Sequence, residues 1–200
     1  SKKGEMQVGG VIYNESADKG ARFIMNCNQK KIPLVFLQDV TGFMVGTRSE
    51  QAGIIKDGAK MVNAVANSVV PKLTFIVGNS FGAGNYAMCG KAYDTRLIFA
   101  FPNSQIAVMG AKQSSETLLH IRVAQMKAKG KEVPEEEQKQ MLKEISERYE
   151  KEMEPIFSAA RLVVDGIIDP AETRNIISRG IGMANCNAEM KKFNTGVIQV

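Results

Sequence analysis

Two periods of apolar and polar residues divide this chain into strands and helices. Consecutive apolar and β-branched residues, typical of buried strands, occupy 31–40 and 73–77. Apolar residues recur at helical spacing over 52–68, and an apolar segment read as a buried helix follows 82–84. Glycines separate each strand from its helix: Gly42 and Gly46 in the first unit, and Gly78, Gly82 and Gly84 in the second. We therefore predict two strand-turn-helix units with their turns side by side, the second strand ending at Gly78.

The flanking segments continue this α/β pattern. A short strand is predicted within 8–13, then a helix capped by Asn14 or Ser16 and continuing through Met25. Short strands are predicted at 95–101 and 105–109. Four helices are predicted at 114–130, 134–154, 155–164 and 170–184, with a strand or turn at 165–170 and a weak strand or disorder at 193–200. The helix at 134–154 is highly charged, and its apolar residues fall on one stripe, so it packs on one side only; they are Met141, Ile145, Tyr149 and Met153.

Composition indicates one domain, spanning 1–200. Two hundred residues, 44% hydrophobic, are enough for a single sizeable core. The net charge of +5 is dispersed and aromatic residues make up 6%, so we expect no nucleic-acid partner. Cys27, Cys89 and Cys186 are too widely spaced for a disulfide framework or a zinc site. We expect them to be buried thiols, in the cytoplasm or, in a eukaryote, the mitochondrial matrix. With a single histidine, His120, we expect no metal site.

The glycine turns are the strongest candidate for chemistry. Glycine lets backbone N–H groups approach a ligand closely, and the first turn of a helix has free N–H donors at the positive end of its dipole. Such donors stabilise negative charge that develops during a reaction, such as that of an enolate. The sequence therefore predicts an oxyanion site built mainly from backbone.

Side-chain alternatives remain open at this stage. Residues 78–82 match G-x-S-x-G, the nucleophile elbow of α/β hydrolases, with Ser80 as nucleophile and Asp94 and His120 following in the expected order. A hydratase would need a glutamate pair beside the turns, which is not evident. Asp39 either lies near a site or caps a turn. The lysines considered as phosphate contacts or as ordinary surface residues are Lys56, Lys60 and Lys112.

Five long motifs resemble one family. They are GGVIYNESADKGARFI (9–24), IPLVFLQDVTGFMVG (32–46), SFGAGNYAMCGKAY (80–93), AVMG (107–110) and ARLVVDGIIDPAETR (160–174). They resemble the carboxyltransferase subunits of biotin-dependent acyl-CoA carboxylases, most of all the methylcrotonoyl-CoA carboxylase β subunit. The resemblance implies a crotonase-like fold of repeated ββα units with additional C-terminal helices. It implies transfer of CO2 between N1 of biotin and an acyl-CoA, without a metal.

The resemblance also implies site residues and partners. Backbone amides of Gly42, Phe43, Ala83 and Gly84 would form the oxyanion holes, and Tyr86 would line the substrate pocket. The motifs match only the C-terminal, biotin-facing half of such subunits, so a fragment or split subunit is expected. Its expected partners are the N-terminal half, a biotin carboxyl carrier protein, biotin carboxylase and further copies in a ring.

One motif departs from the methylcrotonoyl enzymes. The sequence AKQS at 111–114 stands where those enzymes usually have GEQA. The identity of the acyl group is therefore not fixed by the motifs, and a glutaconyl-CoA decarboxylase of the same type is an alternative. A further alternative is a purely structural role, in which the chain serves only as a scaffold for assembly.

Overall fold

A computed structural model describes residues 7–187 and 189–194. Strands alternate with helices through that part of the chain, which confirms the predicted α/β class. The strands are β1 (Val11–Ile12), β2 (Leu34–Val40), β3 (Gly42–Phe43), β4 (Lys72–Phe81), β5 (Leu97–Ala100), β6 (Gln105–Ala107) and β7 (Gly166–Ile167). The helices are α1 (Asn14–Gln29), α2 (Thr47–Gln51), α3 (Ile54–Asn67), α4 (Gly82–Ala87), α5 (Ala111–Ala128), α6 (Glu135–Met153), α7 (Pro155–Ala160) and α8 (Thr173–Asn185).

The strands form two parallel sheets. The larger has the order β2-β4-β5-β7, with β6 pairing the last three residues of β4, and the smaller joins β1 to β3. Parallel strands need crossover connections, which the helices supply. Because the strands of the larger sheet are parallel, their carboxyl ends lie at the same edge, and the turns after β2 and β4 lie there together.

The core explains the apolar runs. Leu73, Phe75 and Ile76 of the central strand β4 are at most 1% exposed, and β2 and β5 pair with its two edges. On one side α1 packs against α3, where small residues such as Ala21 and Ala64 allow a close approach. The first predicted strand-turn-helix unit is held against the second by the pairing of β2 with β4.

Two boundaries near the glycine turns differ from the prediction. The strand expected to end at Gly78 continues to Phe81, because 79–81 pair with β6 in the register Asn79↔Gln105 to Phe81↔Ala107. That pairing partner lies some 25 residues later and cannot be read from the local pattern. The helix expected over 52–68 begins at Ile54 as α3, after Gly53 with φ +97°, and a separate short helix, α2, precedes it.

The C-terminal part is mainly helical, as predicted. The apolar stripe of α6 is partly buried and ends at the buried Met153, while the opposite side of the helix is exposed. The helix predicted to reach 164 ends at Ala160. The prediction of three buried thiols is wrong for Cys186, which is exposed.

Two further findings concern the described residues alone. None of their helices combines the length and the apolar character that crossing a membrane requires. The strand or disorder expected at 193–200 falls mostly outside the described residues, and 193–194 are not in a strand.

Candidate functional site

The first turn leaves β2 and enters β3. Thr41 N donates to Gly10 O (2.7 Å) and Met44 N donates to Ile12 O (2.9 Å), so β1 holds both sides of the turn. Gly42 has φ +145°, a conformation that favours glycine. Successive N–H groups of a strand point to opposite sides. Because the N–H of Met44 faces β1, that of Phe43 points away from it.

The second turn joins β4 to the short helix α4. Gly82 has φ +51°, and a Cβ there would lie 2.8 Å from Val108 O, so a larger residue would be strained and crowded. Ala83 follows at an exposed position and Gly84 at a buried one. The first N–H groups of a helix have no partner within it. The N–H groups of Ala83 and Gly84 therefore lie at the start of α4, next to the sheet edge.

The two turns are in direct contact. A Cβ added to Gly84 would lie 3.3 Å from Gly42 Cα and 2.7 Å from Val40 Cγ2. This contact confirms the prediction that the turns lie side by side. It also brings together the four positions singled out from the sequence, Gly42, Phe43, Ala83 and Gly84.

An apolar cavity of about 390 Å³ opens beside this contact. Glu50 is its one charged lining residue within the part of the chain that the structure describes; the others are Phe43, Met44, Val45, Ile54, Ile55, Gly58, Ala59, Val62 and Ala83. The Phe43 ring packs on Gly58, where a Cβ would be only 2.9 Å away. Tyr86 is half exposed and packs against Tyr93 (5.5 Å between ring centroids). It does not belong to the described lining of this cavity.

Ser80 is not placed as a nucleophile. Its side chain is fully buried, its hydroxyl donates to Gln38 Oε1 (2.6 Å), and its Oγ accepts from Asn85 Nδ2 (2.7 Å). His120 lies at an exposed position of α5. The hydrolase alternative is therefore wrong, because the G-x-S-x-G match places this hydroxyl in a buried hydrogen-bond chain without a histidine.

Other polar candidates also have structural partners. Asp39 Oδ1 accepts from the N–H of Asn79 in β4 (2.9 Å), so it joins the two strands and does not cap a turn through this bond. Lys60 pairs with Asp18 (3.0 Å) and Asp57 (2.9 Å), so it is not a free phosphate contact. Lys56 and Lys112 are exposed. The hydrogen bond from Lys60, followed by that from Asn14, holds the pKa of Asp57 below its ordinary value.

Sequence reasoning missed Gln38 and Asn85. Gln38 is fully buried and its Nε2 donates to Met88 O (2.7 Å), while Asn85 contacts the Ser80 hydroxyl. A usable signal existed, since a glutamine inside the apolar run 34–40 must find a buried hydrogen-bond partner.

Comparison with known proteins gives one consistent result. Residues 2–196 match the carboxyl transferase domain. The chain is 53% identical over 179 residues to a probable mitochondrial methylcrotonoyl-CoA carboxylase beta chain of Drosophila melanogaster, covering 90% of this chain and 31% of the relative. It is 46% identical over 192 residues to a biotin-dependent 3-methylcrotonyl-coenzyme A carboxylase beta1 subunit of Mycobacterium tuberculosis, covering 96% and 36%. The chain thus spans about a third of the length of these relatives.

Solved structures agree with these sequence matches. The geranyl-CoA carboxylase beta subunit of P. aeruginosa superposes with a TM-score of 0.79 at 39% identity, covering 96% of this chain and 35% of that one. Transcarboxylase 12S, solved as a hexamer with methylmalonyl-coenzyme A bound, gives 0.82 at 31%, covering 94% and 35%. These likenesses confirm the crotonase-like fold that the motifs implied. Sequence motifs, the two apposed glycine turns and the matched domain lead to the same conclusion: the chain belongs to the carboxyl transferase domain family.

Proposed function

We propose that this chain is the biotin-facing half of an acyl-CoA carboxyltransferase, which moves CO2 between N1 of biotin on a carrier protein and an acyl-CoA of the methylcrotonoyl type. The observation that carries the proposal is the contact between Gly42 and Gly84. It brings two N–H-bearing turns together beside an apolar cavity. An oxyanion held there would receive hydrogen bonds from both turns.

The residues present fit biotin. Its fused rings are largely apolar, and the cavity beside Phe43 and Ala83 has an apolar lining except for Glu50. Its ureido group is polar, and Phe43 and Ala83, one residue from each turn, line that cavity. When bound, biotin supplies the nitrogen that gives up or accepts CO2.

The chain itself contributes positioned donors. We assign the N–H groups of Phe43, Ala83 and Gly84, with Gly42 giving the first turn its conformation, to stabilising negative charge on an oxygen during transfer. Removing one such donor costs about 10²–10³ in kcat in enzymes that use them. No acid-base side chain is required for this role.

The remaining parts of the site are assigned to other chains or segments. The relatives are about three times as long as this chain, so we assign most acyl-CoA contacts to an N-terminal half that the matched region does not include. A biotin carboxyl carrier protein and biotin carboxylase would supply the carboxyl group. A ring of copies is supported by the hexamer of transcarboxylase 12S. We also propose that residues 1–200 form a single carboxyltransferase domain.

Two further assignments concern the acyl pocket and the location of the protein. We assign Tyr86 to the acyl pocket because it is half exposed on α4, two residues beyond Gly84. Relatives from Drosophila and Arabidopsis are named as mitochondrial, which supports the matrix in a eukaryote and the cytoplasm in a bacterium.

The proposal is tested by carboxyl exchange. Labelled carboxyl would be followed between free biotin and a panel of acyl-CoAs, with this chain alone, with the CoA-binding half alone, and with both. We expect exchange only in the combined sample, fastest with methylcrotonoyl-CoA. Preference for glutaconyl-CoA would favour the decarboxylase alternative, and no exchange in a folded assembly would refute the proposal.

A further inference from the structure

A chain of buried hydrogen bonds links the elements that carry the two turns. Gln38 on β2 accepts from the Ser80 hydroxyl (2.6 Å), and Ser80 Oγ on β4 accepts from Asn85 Nδ2 on α4 (2.7 Å). Gln38 Nε2 also donates to Met88 O, just after the last turn of α4 (2.7 Å). The chain therefore holds α4 at Asn85, its fourth residue, and at Met88, just after its end, and joins it to the strands before both turns.

The regular ladder between β2 and β4 is interrupted at this point. Gln38 pairs with Ile76, but Val40 pairs with Ser80, so two steps along β2 correspond to four along β4. Across such a bulge the ladder no longer sets how far one strand advances relative to the other. The bonds that span the interval are Ser80 to Gln38 and Asn79 N–H to Asp39 (2.9 Å).

The Ser80 hydroxyl has a special place in this chain because it both accepts and donates. Gln38 and Ser80 are 0% exposed, so water does not replace a lost partner easily. Asn85 is confined as well, since its amide occupies the space that a Cβ of Gly90 would need. Without the hydroxyl, Gln38 Oε1 and Asn85 Nδ2 would each lose a partner, and within this chain of bonds only that from Gln38 Nε2 to Met88 O would still hold α4.

We propose that Gln38, Ser80 and Asn85 are positioning residues for carboxyl transfer. They set the separation between the N–H of Phe43 and the N–H groups of Ala83 and Gly84, and they act through the backbone without touching the reacting atoms. The inference rests on the proposed function of the two turns. Because the oxyanion develops mainly in the transition state, a misplaced turn lowers kcat more than it raises KM.

The test compares Ser80→Ala with Thr74→Val in the assembly of this chain and the CoA-binding half. Thr74 lies on the same strand, is equally buried, and donates its hydroxyl to Cys89 O (2.7 Å), but it reaches neither turn. We expect Ser80→Ala to lower kcat for exchange about 10–100-fold with KM for acyl-CoA within about threefold. Thr74→Val should lose comparable thermal stability and keep kcat within about twofold. Ser80→Thr, which retains the hydroxyl, should recover most of kcat.

Amide hydrogen exchange gives a readout independent of activity. In Ser80→Ala, the peptide containing 82–86 should exchange faster than in wild type, and in Thr74→Val it should not. Equal kcat for Ser80→Ala and Thr74→Val, or unchanged exchange over 82–86, would overturn the inference while wild-type carboxyl exchange still supported the proposed function. A folded wild-type assembly without carboxyl exchange would overturn both.

Discussion

Gly84 and Gly42 meet backbone to backbone, although they belong to turns about 40 residues apart. A Cβ on Gly84 would come within 3.3 Å of Gly42 Cα and 2.7 Å of Val40 Cγ2. Real Cβ atoms do not approach side-chain carbons as closely as 2.7 Å, so the Val40 side chain or one of the turns must shift if Gly84 acquires a side chain. The absence of a side chain is what allows the two turns to lie in contact.

Gly84→Ala should therefore separate the turns. We expect carboxyl exchange by the assembly to fall about 100-fold and the free energy of unfolding to fall by about 1–3 kcal/mol, because the buried Val40 side chain must shift. The matched control is Gly9→Ala, where a Cβ would have nothing within 4 Å. Exchange kinetics and urea unfolding measure the two effects, and near-wild-type exchange in Gly84→Ala would contradict a role for this contact.

Ala83→Pro removes one proposed donor with little change to the fold. Proline is tolerated in the first turn of a helix, and Ala83 is the second residue of α4, where its N–H has no partner within the helix. We expect kcat for carboxyl exchange to fall about 100-fold or more. Ala83→Ser, which keeps the N–H, should retain most activity. Full activity of Ala83→Pro in the complete assembly would instead support the scaffold alternative.

The sequence predicted the parts of this site that depend on local pattern. Gly42 and Gly84 were identifiable because glycines interrupt apolar runs at the junctions of strands and helices. Their contact followed from the general rule that neighbouring parallel strands end at the same edge of a sheet. The helical stripe that ends at Met153 was readable for the same reason, since its period is local.

The errors arose where residues far apart in the sequence determine the local structure. Ser80 matched a local catalytic motif, but its burial depends on Gln38, which is 42 residues earlier. The end of β4 depends on pairing between 79–81 and β6. The Lys60 side chain is occupied by its ion pair with Asp18 of α1. No local pattern carries that information. The family motifs supplied the function, whereas the hydrogen-bond chain behind the turns became visible only in three dimensions.

Two glycines of α8 should respond oppositely to alanine. At Gly182 a Cβ would meet nothing within 4 Å, whereas at Gly180 it would lie 3.0 Å from Leu73 Cδ1 in the core. Gly182→Ala should raise the free energy of unfolding by about 0.5–1 kcal/mol, because alanine is the better helix former. Gly180→Ala should cancel or reverse that gain because Leu73 must move. Parallel urea titrations check both, and equal stabilisation by the two variants would contradict the described packing of α8 on β4.

The pairing of Asp57 with Lys60 and Asn14 should make the stability of the fold depend on pH. Asp57 accepts from Asn14 Nδ2 of α1 (2.9 Å) and pairs with Lys60 (2.9 Å), and these contacts lower its pKa in the folded state. A carboxyl with a lowered folded pKa contributes stability above its unfolded pKa of about 4 and loses it as pH falls through the folded value. Asp57→Asn should therefore cost about 1 kcal/mol at neutral pH.

That difference between wild type and Asp57→Asn should shrink progressively as the pH falls below about 4. Thermal or urea unfolding from about pH 7 to about pH 2 measures it. Glu147→Gln is the matched control, because its pair with Lys143 (3.9 Å) is largely exposed and should contribute little at any pH. A cost for Asp57→Asn that stays constant down to the lowest pH would show that packing of α1 on α3, rather than the charge of Asp57, accounts for it.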